Sequence, residues 1–290
     1  MRTIGIESGN LLFQIAELGS RYSTPNHGRP LMRWIIATGV FFLSGAALIA
    51  QSTDRIIAED GDILITPGIH ASVQIEYAGK VIHVDPWSAG DLSSLKPADL
   101  ILVTDDPGHH MDVDAITTLR KPGAPVVLTA DAQKYYPDGR VLANGEGGTF
   151  AGIQVEAIPA YDLTPGEPLH PEGQANGYVL SLGGRRVYLS GVTECVPEIQ
   201  ALKSISVAFM PMNLPVDRMR PIPTAECLKT FKPEVVYLYH YDQAYASWLS
   251  NPDPSQPRST QDTPATIQEF RNAMAGEAIE FRDHSWYPDW

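Results

Sequence analysis

Cysteine is scarce in this chain, whose 290 residues include only Cys195 and Cys227. Two thiols cannot build a disulfide scaffold or a zinc site made of four cysteines. An oxidising compartment would permit a disulfide between them, and the sequence leaves open whether the two residues meet. The fold must therefore depend on a hydrophobic core, and the 43% of apolar residues is enough to build one.

Basic residues are also few. Lysine and arginine number 21 against 34 aspartates and glutamates, which gives a formal net charge of −13. A protein that binds the phosphate backbone needs the opposite balance, so nucleic acid is not expected as a general partner. The composition is too apolar for a disordered chain. A small-molecule substrate or ligand is the expected partner, and the oligomeric state stays open.

Long apolar runs are limited to one, at residues 34–50. A basic residue precedes it and a polar segment follows, so residues 32–50 are predicted to be a secretory signal peptide, with an uncleaved membrane anchor or a buried helix as alternatives. Residues 1–31 are interpreted as a doubtful N-terminal extension ahead of a natural start at Met32. The remainder, 51–290, is expected to be a single domain that is periplasmic or secreted.

Short β-rich runs recur along the body of the chain. Alternating apolar and polar residues over 71–77 predict a half-buried strand, and Ala78-Gly79 predicts a turn into a second strand over 80–84. Further strands are predicted over residues 100–103, 126–128, 153–158, 177–182, 186–189, 207–210 and 235–238. These lengths and turn residues indicate β-sheet with short connections.

Helical spacing of apolar residues appears between the strands, over residues 113–119, 196–202, 224–231 and 263–274. Thr224 and Thr263 are predicted to cap the last two helices. Both halves of the chain repeat the order hairpin, turn, buried strand. The sequence therefore predicts an α/β fold in which two sheets pack face to face between layers of helices.

Histidines and carboxylates gather where predicted strands end and loops begin. The chain has eight histidines, and the loop over 104–112 contains two of them together with several aspartates. Binding sites concentrate at such strand ends, and converging imidazoles and carboxylates are typical of a divalent metal site. His83 alternates with apolar residues along a strand and is predicted to face solvent. His284 near the end of the chain is predicted to have a packing or surface role.

The loop at residues 101–112, I-L-V-T-D-D-P-G-H-H-M-D, resembles the metal-binding loop T-H-x-H-x-D-H of the metallo-β-lactamase superfamily. A branch similar to the ascorbate-6-phosphate lactonases often has T-D-x-H-x-D-H-x-D at this point. Other segments agree with that branch in order and spacing: H-A-S-V at 70–73, V-D-P at 84–86, P-A-Y-D-L-T-P at 159–165, H-P-E-G at 170–173, F-M-P-M-N-L-P at 209–215 and F-K-P-E-V-V-Y-L-Y-H-Y at 231–241. The resemblance covers about residues 63–288. It implies an αββα sandwich, with two packed mixed β-sheets flanked by helices, and a metal-dependent hydrolase.

The resemblance also shows where this chain departs from the family pattern. Pro107 stands at the second histidine position and Val192 stands at the bridging aspartate. His109 replaces the aspartate that normally holds the second metal. Two divalent ions a few ångströms apart need anionic ligands between them, so the loss of two carboxylates argues against a dinuclear centre. The motif that remains is degenerate and predicts at most one ion.

The positions that match the family, together with the substituted position His109, imply the site residues. The implied metal ligands are His109, His110, His170 and His240. Three histidines at 109, 110 and 240 would leave an open coordination position, as in a catalytic zinc site, while manganese and iron stay open. Asp105 is the candidate base that orients the attacking water. Asp85, Asp112 and His70 are expected to support the ligands without touching the ion.

Two functions from different classes follow from this pattern. The first is a hydrolase in which metal-activated water attacks an ester, lactone, amide or phosphoester. The second is a non-catalytic descendant of the same fold that acts as a binding module, an alternative that Pro107 and Val192 favour. A redox variant of the fold is a third alternative, against which the missing carboxylate bridge argues.

Overall fold

The structure, a computed structural model, describes residues 53–106, 108–255, 263–283 and 286–287. The predicted extension and signal peptide, Pro107 and His284 lie outside the described residues. Within the described ranges no helix combines the length and apolar character needed to cross a membrane. All the described residues belong to one compact unit.

The first sheet contains seven strands in chain order. They are β1 (Asp54–Ile56), β2 (Ile63–Pro67), β3 (Val73–Tyr77), β4 (Lys80–Val84), β5 (Leu100–Leu102), β6 (Val126–Leu128) and β7 (Arg140–Val141). Strands β1 to β4 are antiparallel, and β4 to β7 are parallel. The predicted hairpin joins β3 to β4 through Ala78 and Gly79, which both have positive φ, as the tight turn of a twisted hairpin requires.

The second sheet repeats this plan. Its strands are β8 (Gly147–Phe150), β9 (Ile153–Ala160), β10 (Ala175–Leu182), β11 (Arg185–Leu189), β12 (Val207–Pro211), β13 (Val235–Tyr239) and β14 (Glu280–Phe281). Strands β8 to β11 are antiparallel and β11 to β14 are parallel. Each half of the chain therefore builds one mixed sheet, as the repeated order of hairpin and buried strand predicts.

In the described residues, five α-helices connect and cover the strands: α1 (Val113–Leu119), α2 (Pro197–Gln200), α3 (Pro221–Phe231), α4 (Gln243–Ser250) and α5 (Thr263–Ala273). Helix α3 begins three residues before the predicted cap, since Pro221 occupies its first turn and Arg220 is the N-cap. The cap predicted at Thr224 is therefore wrong; its hydroxyl donates to the Met219 carbonyl at 3.0 Å. Helix α4 was not predicted, and Asp242 caps it by accepting from Tyr245 N–H.

The core fills the space between the two sheets. Strand β5 shows why a continuous apolar run was needed: Leu100 and Leu102 face the inter-sheet core, while Ile101 packs with Ile116 of α1 on the outer face. Burying each such side chain stabilises the fold by roughly 1.5–3 kcal/mol. The arrangement confirms the predicted αββα sandwich.

Two further features correct or complete the sequence analysis. His83 is only 1% exposed, and its Nε2 lies 2.8 Å from the Lys96 carbonyl oxygen, so the prediction of a solvent-facing side chain was wrong. The segment before β5 covers that face of the sheet. Cys195, which follows β11, forms a disulfide with Cys227 of α3, and their Cα atoms are 5.6 Å apart.

Candidate metal centre

The candidate site lies at one edge of both sheets. Strands β2, β4 and β5 run in one direction, so the segments that follow them reach the same edge of the sheet. This arrangement brings together His70, Asp85, Asp105 and His110. The parallel strands of the second sheet place His240 directly after β13. Ligand sites in α/β proteins form at such carboxyl ends of strands.

Three histidines form a compact cluster at this edge. His70, His109 and His240 each offer a ring nitrogen, and the three atoms lie within 4.8 Å of one another. The ring centroids of His70 and His240 are 3.6 Å apart, and those of His70 and His109 are 5.2 Å apart. We call these residues the three-histidine cluster. Nearby, the Trp87 ring lies 6.0 Å from the rings of both His70 and His109.

Electrostatics keep the three-histidine cluster neutral. Burial, reinforced by neighbouring histidines, lowers the pKa of His70 and of His240 well below the usual histidine range. Burial and the nearby His110 lower the pKa of His109 to about 2. The neutral imidazole is the form that binds metal ions, so at neutral pH all three side chains are available as ligands.

One ring nitrogen of the three-histidine cluster is buried without a hydrogen-bond partner among the described residues. His70 Nε2 is fully buried and has no hydrogen-bond partner among the described residues, while its Nδ1 lies 2.7 Å from Tyr287 Oη. Buried polar atoms are almost always paired, so an unpaired ring nitrogen within a group of imidazoles is a specific feature. Three neutral nitrogen donors match the protein ligand set of a catalytic zinc ion, which keeps its fourth coordination position open. The residues present therefore fit a metal.

His110 lies beside this cluster but is held differently. Its Nδ1 is 2.7 Å from Asp85 Oδ2, and its Nε2 is 3.3 Å from His240 Nε2. Burial alone would lower its pKa, but the Asp85 carboxylate more than compensates and the pKa of His110 is raised. The set expected from the sequence, His109, His110 and His240, thus differs from the observed cluster, in which His70 takes the place of His110.

Asp85 occupies the turn after β4 and has the left-handed φ of 43°. Its carboxylate accepts hydrogen bonds from the N–H and the hydroxyl of Thr104 as well as contacting His110. Such backbone strain is retained only where the surroundings hold it, and here it aims a carboxylate at an imidazole. The structure places the Asp85 carboxylate behind the ring of His110, and the supporting role expected for Asp85 stays a prediction.

Asp112 has another role. One carboxylate oxygen accepts from Ala115 N–H at 2.9 Å and caps α1, and the other accepts from the N–H and hydroxyl of Ser88. Among the described contacts, none joins Asp112 to a histidine. Asp112 therefore caps α1 and fixes the loop carrying Trp87 and Ser88, while the supporting role expected for it at the metal site stays a prediction.

Asp105 and His170 form a second group, which we call the Asp105–His170 pair. His170 Nε2 lies 3.4 Å from Asp105 Oδ2, an oxygen that is buried and has no hydrogen-bond partner among the described residues. On the other side, His170 Nδ1 lies 3.3 Å from Asp162 Oδ1, and Asp162 is ion-paired with the buried Arg218. Burial raises the pKa of Asp105 and lowers that of His170.

Sequence reasoning did not single out Asp162 or Arg218. Asp162 lies in the P-A-Y-D-L-T-P segment that carries the resemblance, so a signal for it was present. Nothing in the sequence marks Arg218. Val192, at the position of the usual bridging aspartate, is 2% exposed and offers no ligand atom. The structure thus contains both groups of candidate residues, with His110 between them.

Comparison with known proteins identifies the class. Residues 45–240 match the family model described as "Beta-lactamase superfamily domain". This span exceeds half of the chain, so the protein belongs to the metallo-β-lactamase superfamily. The family and the sandwich fold agree with the expectation from the motifs, while the particular branch similar to the ascorbate-6-phosphate lactonases is not distinguished.

Several relatives narrow the class further. The chain is 28% identical to a UPF0173 metal-dependent hydrolase of Pelotomaculum thermopropionicum over 73% of this chain and 96% of that protein. It is 32% identical to a UPF0173 metal-dependent hydrolase of Ligilactobacillus salivarius over 50% of this chain and 69% of that protein. A solved structure from Parabacteroides distasonis, assigned as a metal-dependent hydrolase, superimposes with a TM-score of 0.69 at 32% identity, covering 80% of this chain and 98% of that one. The chain is thus a member of a family of metal-dependent hydrolases.

Proposed function

We propose that this protein is a hydrolase that holds one divalent ion on His70, His109 and His240. The observation that carries the proposal is the neutral cluster itself, with its buried and unpaired His70 Nε2. Zinc suits three imidazoles best, and manganese and iron are the alternatives. When bound, the ion supplies a Lewis acid that activates water and polarises the oxygen of the scissile group.

The Asp105–His170 pair supplies the proton chemistry in this proposal. Asp105 Oδ2 has a free lone pair, and burial favours its taking up a proton, so it can orient water and accept the proton that water gives up. Asp162 holds His170 from behind, which keeps His170 Nε2 directed at Asp105. Burial favours the neutral form of His170, whose single proton lies on Nδ1 toward Asp162. Its Nε2 lone pair therefore accepts a hydrogen bond from Asp105 once that carboxylate has taken up the proton from water.

The substrate class follows from the roles proposed for the ion and for Asp105. A Lewis acid with an adjacent carboxylate base suits hydrolysis of an ester, lactone, amide or phosphoester. Membership of a family whose relatives are metal-dependent hydrolases favours this reaction class, and nothing in the comparisons favours the non-catalytic binding module.

We also propose that the protein works outside the cytoplasm, in the periplasm or as a secreted protein. The predicted signal peptide suggests this location, and the Cys195–Cys227 disulfide is typical of an oxidising compartment.

Metal stoichiometry tests the proposed function. The purified full-length chain, stripped with a chelator, is titrated with zinc, manganese or ferrous ions and then assayed on chromogenic esters, lactones, amides and phosphoesters. We expect one ion per chain and metal-dependent hydrolysis of at least one class. Absence of binding at micromolar metal would overturn the proposal, and binding without hydrolysis across the panel would support the binding module instead.

A further inference from the structure

Tyr287, among the last described residues, lies beside the candidate metal centre. Tyr287 is 5% exposed, and its hydroxyl oxygen lies 2.7 Å from His70 Nδ1. The same oxygen accepts a hydrogen bond from the backbone N–H of Asp242 at 3.1 Å. Asp242 is two residues beyond His240, so one hydroxyl contacts segments that carry two members of the three-histidine cluster.

The contact decides which nitrogen of His70 can bind an ion. A neutral imidazole carries one proton, on either Nδ1 or Nε2. If Nδ1 carries the proton and donates it to Tyr287 Oη, the lone pair of Nε2 is available to a metal. If the hydroxyl donates to Nδ1 instead, Nε2 carries the proton and cannot be a ligand. The direction of this one hydrogen bond therefore sets whether His70 Nε2 has a lone pair available for an ion.

We propose that Tyr287 is a positioning residue of the metal centre, whose hydroxyl accepts the Nδ1 proton of His70 and so presents Nε2 to the ion. This inference rests on the proposed function, because it assumes the ion. Ligating histidines commonly donate their other nitrogen to an oxygen atom that fixes the tautomer and the ring orientation. Tyr287 is an oxygen acceptor in that place for His70.

A backbone hydrogen bond also joins two of the cluster histidines close to Tyr287. His70 and His240 have left-handed backbones, with φ of 58° and 51°, and the N–H of His240 donates to the His70 carbonyl at 2.9 Å. His70 follows a strand of the first sheet and His240 follows a strand of the second. The Tyr287 hydroxyl adds a side-chain link where the backbones of the two sheets already meet.

The tyrosine ring is anchored independently of its hydroxyl. It packs against the rings of Tyr241 and Tyr245, with centroids 4.7 and 5.8 Å away. The neighbouring Trp286 is 1% exposed, and its indole N–H donates to the Ser72 carbonyl at 3.0 Å. Removing only the hydroxyl oxygen of Tyr287 therefore leaves the anchoring contacts in place.

The test compares two tyrosine-to-phenylalanine variants of the full-length protein. Zinc affinity is measured by competition with a chromophoric chelator for the wild type, Tyr287→Phe and Tyr237→Phe. Tyr237 is the matched control, because its buried hydroxyl bonds to Asp54 of the first sheet and does not contact a histidine in the described contacts. We expect Tyr287→Phe to bind zinc about 10- to 100-fold more weakly, and Tyr237→Phe to bind like the wild type.

The outcomes separate the two proposals. A wild type that binds none of zinc, manganese and ferrous ions overturns the proposed function and this inference with it. A wild type that binds one ion, together with a Tyr287→Phe variant of equal affinity, overturns only the inference. Nitrogen NMR of the zinc-loaded wild type tests the same point without any variant. We expect the His70 proton on Nδ1, and a proton on Nε2 would overturn the inference even if Tyr287→Phe failed to fold.

Discussion

The two halves of the candidate site, the three-histidine cluster and the Asp105–His170 pair, differ in charge and in the residues that support them. The three-histidine cluster contains only neutral donors. The Asp105–His170 pair combines a carboxylate with an imidazole, and the Asp162–Arg218 ion pair lies behind it. A bound cation needs several ligand atoms with free lone pairs in a fixed arrangement. Proton transfer instead needs an acid or base side chain close to the reacting water. In the proposed function, the ion belongs to the three-histidine cluster and the proton transfer to the Asp105–His170 pair.

The strongest test of this difference removes one imidazole from each half of the site in turn. His240→Ala leaves two donors in the three-histidine cluster, and we expect zinc binding to weaken by at least about 100-fold. His170→Ala is the matched change in the other half and is expected to retain one ion per chain with affinity within a few fold. Isothermal titration of both apoproteins measures the difference. Equal losses in the two variants would show that the ion lies between the halves.

Changing the carboxylate alone sharpens the assignment of the base. Asp105→Asn keeps the shape of the side chain but removes its capacity to accept a proton. We expect kcat to fall by about 10²- to 10⁴-fold while zinc stoichiometry and KM stay close to those of the wild type. Steady-state kinetics on the best substrate of the hydrolysis panel provide the measurement.

The neighbouring acid offers a control for that variant. Asp106 is ion-paired with the exposed Lys134 at 2.7 Å. Asp106→Asn changes the net charge of the loop by the same amount, and we expect only a small change in kcat. If both variants lost activity equally, the loop charge rather than a proton acceptor at Asp105 would explain the effect.

Much of the fold could be predicted from the sequence. Strands show in the residue pattern of short segments, and the order of the motifs resembles that of a known family. The run over 100–103 and the two hairpins led to the sandwich. The site was predicted less completely. Whether His70 or His110 joins His109 and His240 depends on the left-handed turn at His70 and on the Asp85 carboxylate, which draws His110 Nδ1 to itself. Neither adjacency in sequence nor the motif contains that directional information.

Burial of His83 was missed for a related reason. Alternation along β4 correctly separates the two faces of the strand, but it does not show that the segment containing Lys96 covers the outer face. The Tyr287 contact is even less local, since it joins residues separated by 217 positions. Long-range contacts of this kind depend on the assembled sheets, so single-sequence patterns do not reveal them.

The disulfide distinguishes the two halves by stability rather than chemistry. Cys195 follows Glu194, whose carboxylate accepts from the N–H groups of Leu163 and Thr164 in the loop that leads to His170. Cys227→Ser is expected to lower the free energy of unfolding by about 3 kcal/mol, measured by urea denaturation. Because the linked loops support the Asp105–His170 pair, we expect zinc affinity to stay unchanged. A loss of zinc affinity in the folded variant would contradict the separation of the halves.

The smallest expected effect contrasts the site histidines with His83, a buried histidine of the scaffold. Burial lowers the pKa of His83, so between pH 7.5 and 5.5 the unfolded chain takes up a proton that the folded chain does not. The free energy of unfolding therefore falls as the pH decreases through the pKa that His83 has in the unfolded chain.

His83→Gln should reduce this loss of stability by at most about 1.4 kcal/mol per pH unit, measured by urea denaturation at several pH values. Since His83 bonds only to the Lys96 carbonyl among the described contacts, the reduction should be equal with and without zinc. A zinc-dependent reduction would mean that the scaffold and the metal centre titrate together.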